Sequence, residues 1–326
     1  MSRHPPLLVA ATILLVVCVL GLLAGSHWLS PHKLWLALTS SSPQSAELHL
    51  LSKVRLPRVA GAVLIGALLS LSGCLLQGVT RNVLADPGLL GLHSGAHLAL
   101  VILLVLANPV AAGHLRVPVA FAGATATAAL VFAASRHRGS TSRDILLIVG
   151  IAMGAALHAV GLLVAFSAPS EVLARAMVWT TGNLGGIGGR EVSILGLALV
   201  VVAPVAWGIG RPMDILACGD DCASSLGVSV NRVRLLAMAV GVLGASVCVA
   251  VGGAIASVGL IAPNLARRLV GPRSRPLLLL SACCGATLVV LADTIGRTAF
   301  GMLELPAGIL VAAVGTPYFL WLLVIR

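Results

Sequence analysis

The sequence has few charges, few aromatic side chains and almost no lysine. Only 10% of its 326 residues are charged and 3% are aromatic, whereas 59% are hydrophobic and the mean hydropathy is +1.07. Because soluble domains carry about 25% charged residues, this composition excludes an ordinary water-soluble fold. It predicts an all-α polytopic membrane protein, since a helix satisfies its own backbone hydrogen bonds within the bilayer.

The chain also lacks a phosphate-binding loop. Neither of its two lysines, Lys33 and Lys53, completes the Gly-x-x-x-x-Gly-Lys pattern that cradles nucleotide phosphates. If ATP drives this protein, another chain hydrolyses it, so the sequence does not predict an enzyme. The formal charge of +11 is interpreted as a property of membrane orientation and anionic headgroups, not of nucleic-acid binding.

Apolar runs long enough to cross a membrane recur along the chain. A helix rises about 1.5 Å per residue and the hydrocarbon layer is about 30 Å thick, so one crossing needs about twenty residues. Ten candidate units lie at 7–26, 59–79, 89–107, 117–134, 145–168, 192–209, 235–257, 258–270, 277–296 and 306–325. The eighth is too short to cross alone, and Gly252, Gly253 and Pro263 predict a broken helix pair there. We expect one transmembrane domain over residues 1–326.

The second crossing has polar residues at both ends and small residues along one face. Arg55 and Arg58 precede an uncharged run, and a polar loop with a proline follows it. Gly66, Ser70 and Cys74 recur at every fourth position, so they share one helix face. Such a strip lets a neighbouring helix approach closely, and it predicts that this helix is buried among other helices.

The cations divide unevenly between the predicted loops. With a cytoplasmic N-terminus, thirteen of the 21 lysines and arginines lie in inner loops and eight in outer loops. This split favours a bacterial inner-membrane protein with both termini cytoplasmic. The first apolar run is also compatible with a cleaved signal peptide, although it is longer than a signal needs.

Three other kinds of chemistry have weak signals. An ion-coupled transporter needs acids inside its spans, but Asp293 is the one acid there and Arg297, one turn away, explains it as an intrahelical pair. A serine hydrolase needs a glycine-flanked serine turn, and the run 92–95, Leu-His-Ser-Gly, lacks the leading glycine. His93 and His97 share a helix face without a third ligand, so they either sit satisfied in the bundle or contact a metal-bearing substrate. No metal site is expected.

The loop over residues 213–234 is the most informative predicted cytoplasmic segment. It reads MDILACGDDCASSLGVSVNRVR, and Gly219 and Gly227 mark turns between short helical pieces. We expect a compact helix-turn-helix here. Spacing alone favours a solvated connector.

Motifs along nearly the whole chain resemble a known family. The pattern Gly219…Ala223…Leu226-Gly227 is similar to the coupling loop of ABC importer permeases, and the remaining motifs resemble the FecCD family of iron-siderophore, haem and vitamin B12 permeases. Those motifs are Arg55-Leu56-Pro57-Arg58, Gln77 through 81–88 (RNVLADPG), Trp179 with 182–184 (GNL), 226–228 (LGV), 258–263 (VGLIAP), Ala292-Asp293 and 304–308 (ELPAG). The chain departs from the family pattern at Val83, Ser257, Asn264 and Ser274.

The resemblance implies a vitamin B12 permease-like subunit of about ten helices. It implies a dimer with a second permease copy, two ATPase subunits that hold ATP and Mg²⁺, and a substrate-binding protein above. The chain itself would bind no cofactor. Its substrate would be an iron chelate, haem or a ferric siderophore, with cobalamin as the alternative.

The resemblance also assigns roles to individual residues. Outward cations that dock the binding protein would be Arg55, Arg58 and Arg297, for which lipid-headgroup anchoring is the alternative. The cytoplasmic gate would be Asn82, Leu84, Thr141 and Ser142. Coupling to the ATPase would involve Gly219, Asp220, Ala223, Leu226 and Gly227. The substrate pathway would include Arg175, His93 and His97, although Arg175 also fits an ordinary interfacial arginine.

Overall fold

The computed structural model describes residues 5–25, 49–107, 109–137, 140–141, 143–299 and 304–324, which form a bundle of twelve α-helices. The helices are α1 (Pro5–Leu23), α2 (Leu56–Thr80), α3 (Leu92–Leu106), α4 (Pro109–Ser135), α5 (Arg143–Ser167), α6 (Ser170–Thr180), α7 (Gly189–Leu216), α8 (Asp220–Ser225), α9 (Val230–Gly252), α10 (Val258–Val270), α11 (Ser274–Thr298) and α12 (Ala307–Val324). A π-helical turn (Leu51–Arg55) precedes α2, and a 3-10 helix (Pro87–Leu90) precedes α3. Two-residue strands β1 (Arg136–His137) and β2 (Ser140–Thr141) pair antiparallel. The all-α prediction is confirmed.

Every predicted span corresponds to one of these helices. Within the described residues, seven helical segments are long and apolar enough to cross a membrane by length and composition, namely α1, α2 with its π-helical turn, α4, α5, α7, α9 and α11. The other three spans are the shorter helices α3, α10 and α12. The helices α6 and α8 are short and lie between spans.

The helix α2 is the centre of the bundle, as its strip of small residues predicts. Of its apolar stretch 83% is buried within the chain, against 11% for α1. A Cβ added at Gly66 would lie 2.6 Å from the Ala286 Cα of α11, which is closer than real Cβ contacts come. Further along, the Cys74 thiol donates to Ser281 Oγ at 3.1 Å. The strip therefore lets α2 and α11 pack with their backbones almost in contact.

The predicted helix break is also present. The helix α9 ends at Gly252, and Gly253 follows with a φ of 77°. Ser257 has a φ of 67° and directly precedes α10. Positive φ values at both positions redirect the chain, so α9 and α10 are separate helices joined by a short irregular segment.

Two ends of the bundle carry the polar residues. The arginine end holds Arg55, Arg58 and Arg297, where the Arg55 guanidinium donates to the carbonyls of Leu22 and Leu23 at the end of α1. The coupling-loop end holds residues 213–234, which join α7 to α9 through α8. These ends lie at opposite sides of the spans, because Arg55 directly precedes α2, whereas Arg81, which directly follows α2, donates to Asp220 of the coupling loop.

Candidate functional site

A buried ion cluster lies at the arginine end. Arg58 Nε donates to both carboxylate oxygens of Asp293, at 2.9 and 3.2 Å, and its Nη1 donates to Glu304 Oε2 at 3.0 Å. Arg297 Nε lies 3.4 Å from Asp293 Oδ2, so the predicted intrahelical pair is confirmed. The Arg297 guanidinium also donates to the Gly21 carbonyl of α1. The cluster therefore joins α1, α2 and α11.

The three predicted docking cations are buried within the chain. Arg55, Arg58 and Arg297 are only 4, 7 and 6% exposed. Their carboxylate and carbonyl partners belong to the same chain. This pairing stabilises the arginines, because a buried charge without a partner is costly. Docking of a binding protein on these residues stays a prediction.

A cavity of about 500 Å³ lies between α3, α4, α6 and α9. Its lining includes Arg116, Arg175, Trp179, Asn183 and Gly252. Arg175 is exposed and Arg116 is half-buried, and none of the described lining residues is acidic. The cavity is therefore positively charged, as a site for an anion would be.

One of the predicted pathway histidines, His97, contacts a residue that lines this cavity. His97 is 2% exposed, and its ring stacks on the Trp179 indole with centroids 6.2 Å apart and lies 5.6 Å from the His158 ring. In the described chain neither His97 Nδ1 nor Trp179 Nε1 has a hydrogen-bond partner. His93 is one turn away, beside Gly88 of the 3-10 helix. The two predicted histidines therefore have different neighbours, although they share a helix.

Sequence reasoning missed two members of this region. Arg116 lies in a predicted outer loop just before a span, and that position could have marked it as a cavity residue. His158 lies inside an apolar run and has no regular spacing from His97. Only the packing of α3 against α5 brings their rings together, so no sequence signal identifies His158.

At the other end of the bundle, α8 has well-defined boundaries. Gly219 directly precedes it with a φ of 120°, and Gly227 follows its C-cap, Leu226, with a φ of 80°. The amide of Gly227 donates to the Ser224 carbonyl at 2.9 Å, and that of Val228 donates to the Ala223 carbonyl at 2.9 Å. These two bonds form a Schellman motif, in which the residue after the helix needs a positive φ. The predicted turns at both glycines are confirmed.

The side chain of Ala223 faces the chain itself. It is 0% exposed, so it seats α8 against its own bundle. Leu226, by contrast, is 65% exposed. A partner at this end would meet Leu226 first, and the coupling role of the loop stays a prediction.

Two of the predicted gate residues, Asn82 and Leu84, lie just after the end of α2. Asn82 Oδ1 accepts from the Leu84 amide at 2.9 Å, which closes a tight turn. Asn264 Nδ2 of α10 donates to the Val83 carbonyl at 2.8 Å, so two positions at which the chain departs from the family pattern are in contact. Thr141 lies in β2, and Ser142 lies outside the described residues.

A second cavity adjoins this turn. It measures about 250 Å³ and lies between α2, α7, α10 and α11. Its polar lining includes Gln77, Arg81, Asp214, Arg267 and Ser274.

Comparison with known proteins gives the family. The model of the FecCD transport family matches residues 13–325. The Fe(3+)-citrate import system permease protein YfmE of Bacillus subtilis is 38% identical over 97% of this chain and 94% of its own length. The vitamin B12 import system permease protein BtuC of Vibrio cholerae is 40% identical over 96% of this chain and 91% of its own length. A solved structure described as the inward-facing conformation of a metal-chelate type ABC transporter has a TM-score of 0.84 at 26% identity and covers 99% of both chains.

These matches extend over nearly the whole chain, as the motifs do. They agree with the helical spans in indicating a multi-pass protein of the bacterial inner membrane. Because the family supplies the transport component, the chain is not itself the catalytic ATPase. The chain belongs to the FecCD transport family and is the permease subunit of an ABC importer.

Proposed function

We propose that this permease imports an anionic iron chelate, haem or a ferric siderophore, in a binding-protein-dependent ABC importer. The complex contains two copies of this chain, two ATPase subunits that bind ATP and Mg²⁺, and a substrate-binding protein at the arginine end. The chain binds no cofactor of its own. Both termini lie in the cytoplasm, and the coupling-loop end meets the ATPases.

The choice of substrate is based on the positive charge of the larger cavity. Arg116 and Arg175 both line it, and no described lining residue is acidic. Arginine pairs well with carboxylates because its planar guanidinium can donate two parallel hydrogen bonds. Ferric citrate and haem carry carboxylates, whereas a neutral corrinoid gains less from two cations. The ferric citrate permease relative supports this choice, and the vitamin B12 relative keeps cobalamin as the alternative.

The ion-coupled alternative has less support. Asp293, the acid that lies inside a span predicted from the sequence, is 2% exposed and is paired with both Arg58 and Arg297. A carboxylate that carries protons must exchange with water. Asp293 is therefore better explained as a structural member of the ion cluster.

The test is uptake by purified components. The permease is reconstituted in vesicles with its partner ATPase and binding protein, and accumulation of ferric citrate, haemin and cyanocobalamin is measured with and without ATP. We expect ATP-dependent uptake of an iron chelate, reduced in Arg116→Gln and Arg175→Gln. Arg190→Gln is the control, because Arg190 is exposed and does not line the cavity. ATP-dependent uptake of cyanocobalamin alone would establish the alternative.

A further inference from the structure

Three charged side chains connect the coupling loop to the predicted gate. Arg81 Nη2 donates to Asp220 Oδ1 at 2.7 Å, and Arg234 Nη2 donates to the same oxygen at 2.8 Å. Asp220 is the first residue of α8, Arg81 ends α2, and Arg234 lies in the first turns of α9. These residues form an ion triad that ties three elements together at one carboxylate oxygen.

Arg81 holds an unusual backbone conformation at this point. Its φ is 49°, in the left-handed region that residues other than glycine rarely adopt. Such a conformation persists only where the surrounding contacts hold it. The Arg81 guanidinium makes two such contacts, since it donates to the Leu216 carbonyl of α7 and to Asp220.

The residues that follow Arg81 are the predicted gate. Asn82 closes the turn onto the Leu84 amide, and Val83 accepts from Asn264 of α10. No residue separates Arg81 from Asn82, so a change in the φ of Arg81 reorients the turn. The cavity of about 250 Å³ beside Arg81 provides space into which its side chain can move without displacing a packed helix.

We propose that the triad Arg81–Asp220–Arg234 is a positioning device that transmits displacement of α8 to the turn carrying Asn82 and Leu84. The inference rests on the proposed function, in which an ATPase moves α8. When Asp220 moves with α8, its two arginines must follow or lose their charge-assisted bonds, which are stronger than neutral hydrogen bonds. The Arg81 backbone is then free to leave its left-handed conformation, and the turn shifts with it.

Two substitutions on one short helix separate this role from a general effect of charge. Asp220→Asn removes the charge that both arginines share. Asp221→Asn is the matched control, because Asp221 is the next residue, is exposed, and contributes its backbone carbonyl to the Ser224 and Ser225 hydroxyls. Asp220→Glu keeps the charge and serves as the rescue variant.

The experiment uses the complete transporter in vesicles and two measurements. The first is the amount of ferric citrate or haemin taken up per ATP hydrolysed. The second is thiol labelling of Leu84→Cys, in a background without the native cysteines, before and after the ATPase is trapped with ATP and vanadate. The first measures coupling, and the second reports whether the turn responds to the ATPase.

In Asp220→Asn we expect uptake per ATP to fall about fivefold or more, the lower end of typical coupling effects. Labelling of Leu84→Cys should no longer respond to trapping, while the ATPase still co-elutes. Asp221→Asn should match the parent, and Asp220→Glu should recover most of the response.

Two results would overturn the proposal. One is a parent-like coupling ratio and labelling response in Asp220→Asn. The other is loss of ATPase co-elution in that variant, which would show that the triad only holds α8 in place. Absence of ATP-dependent uptake in the parent complex would instead contradict the proposed function, so the two failures are distinguishable.

Discussion

At the scale of single residues, the arginine end depends on one carboxylate. Asp293 is 2% exposed and balances two buried arginines, whereas the Glu304 side chain is 58% exposed and binds one. Removing one partner of a buried pair leaves an uncompensated charge away from water, and exposed pairs contribute little because solvent screens them. Two carboxylates that contact the same Arg58 should therefore differ greatly in their effect on stability.

We predict that Asp293→Asn destabilises the chain by about 3–5 kcal/mol, because Arg58 and Arg297 then lie buried without their shared counter-charge. Glu304→Gln should cost about 1 kcal/mol or less. The measurement is detergent-induced unfolding of each purified variant in mixed micelles. Equal loss of stability in both variants would show that burial does not decide the role of these carboxylates.

At the scale of elements, two kinds of contact position the helices. Small residues let α2 and α11 pack closely along their length, and a buried alanine seats α8 against the rest of the chain. In both places a larger side chain has no room, because the neighbouring atoms belong to backbone or to packed helices.

The crossing of α2 and α11 should tolerate no added methyl group. A Cβ at Gly66 would overlap the Gly285 carbonyl and the Ala286 Cα, so Gly66→Ala should cost about 1–3 kcal/mol through strain. The matched control is Gly208→Ala in α7, where an added Cβ meets nothing within 4 Å. That change should be neutral or stabilising, since alanine favours helix over glycine by about 1 kcal/mol. Detergent-induced unfolding in mixed micelles compares the stabilities of the two variants. If Gly66→Ala did not lower stability, this would contradict the observed close approach of α2 and α11.

Substitutions in and after α8 should separate folding from partner binding. Leu226 is 65% exposed, so Leu226→Glu should leave the thermal stability of the isolated permease unchanged and weaken co-elution of the ATPase. Ala223 is 0% exposed, so Ala223→Glu forces a carboxylate into the chain's own packing and should lower stability as well. Melting in detergent and size-exclusion chromatography give the two readouts. If Leu226→Glu co-elutes normally, the exposed face of α8 is not the ATPase contact.

At the scale of the whole molecule, local patterns could be predicted from the sequence and distant contacts could not. Apolar run length located a helix for each predicted unit, small-residue spacing predicted the α2 crossing, and glycines predicted the break after α9, because each signal lies within a few adjacent turns. The burial of Arg58 depends on Asp293, which is distant in sequence. The burial of Ala223 depends on how α8 packs against α7. The burial of such residues depends on tertiary packing, which cannot be predicted from the spacing of residues along the sequence.

The orientation of the molecule in the membrane is the last prediction. Excess arginine in the predicted inner loops predicts that the coupling-loop end lies in the cytoplasm and the arginine end outside. Single cysteines at Leu226 and Gly186 test this in a background without the native cysteines, because both positions are exposed and lie at opposite ends. An impermeant thiol reagent should label Gly186→Cys in intact cells and Leu226→Cys only after permeabilisation. The reverse pattern would place α8 on the side of the membrane that has no ATP, and α8 could then not be the element that an ATPase moves.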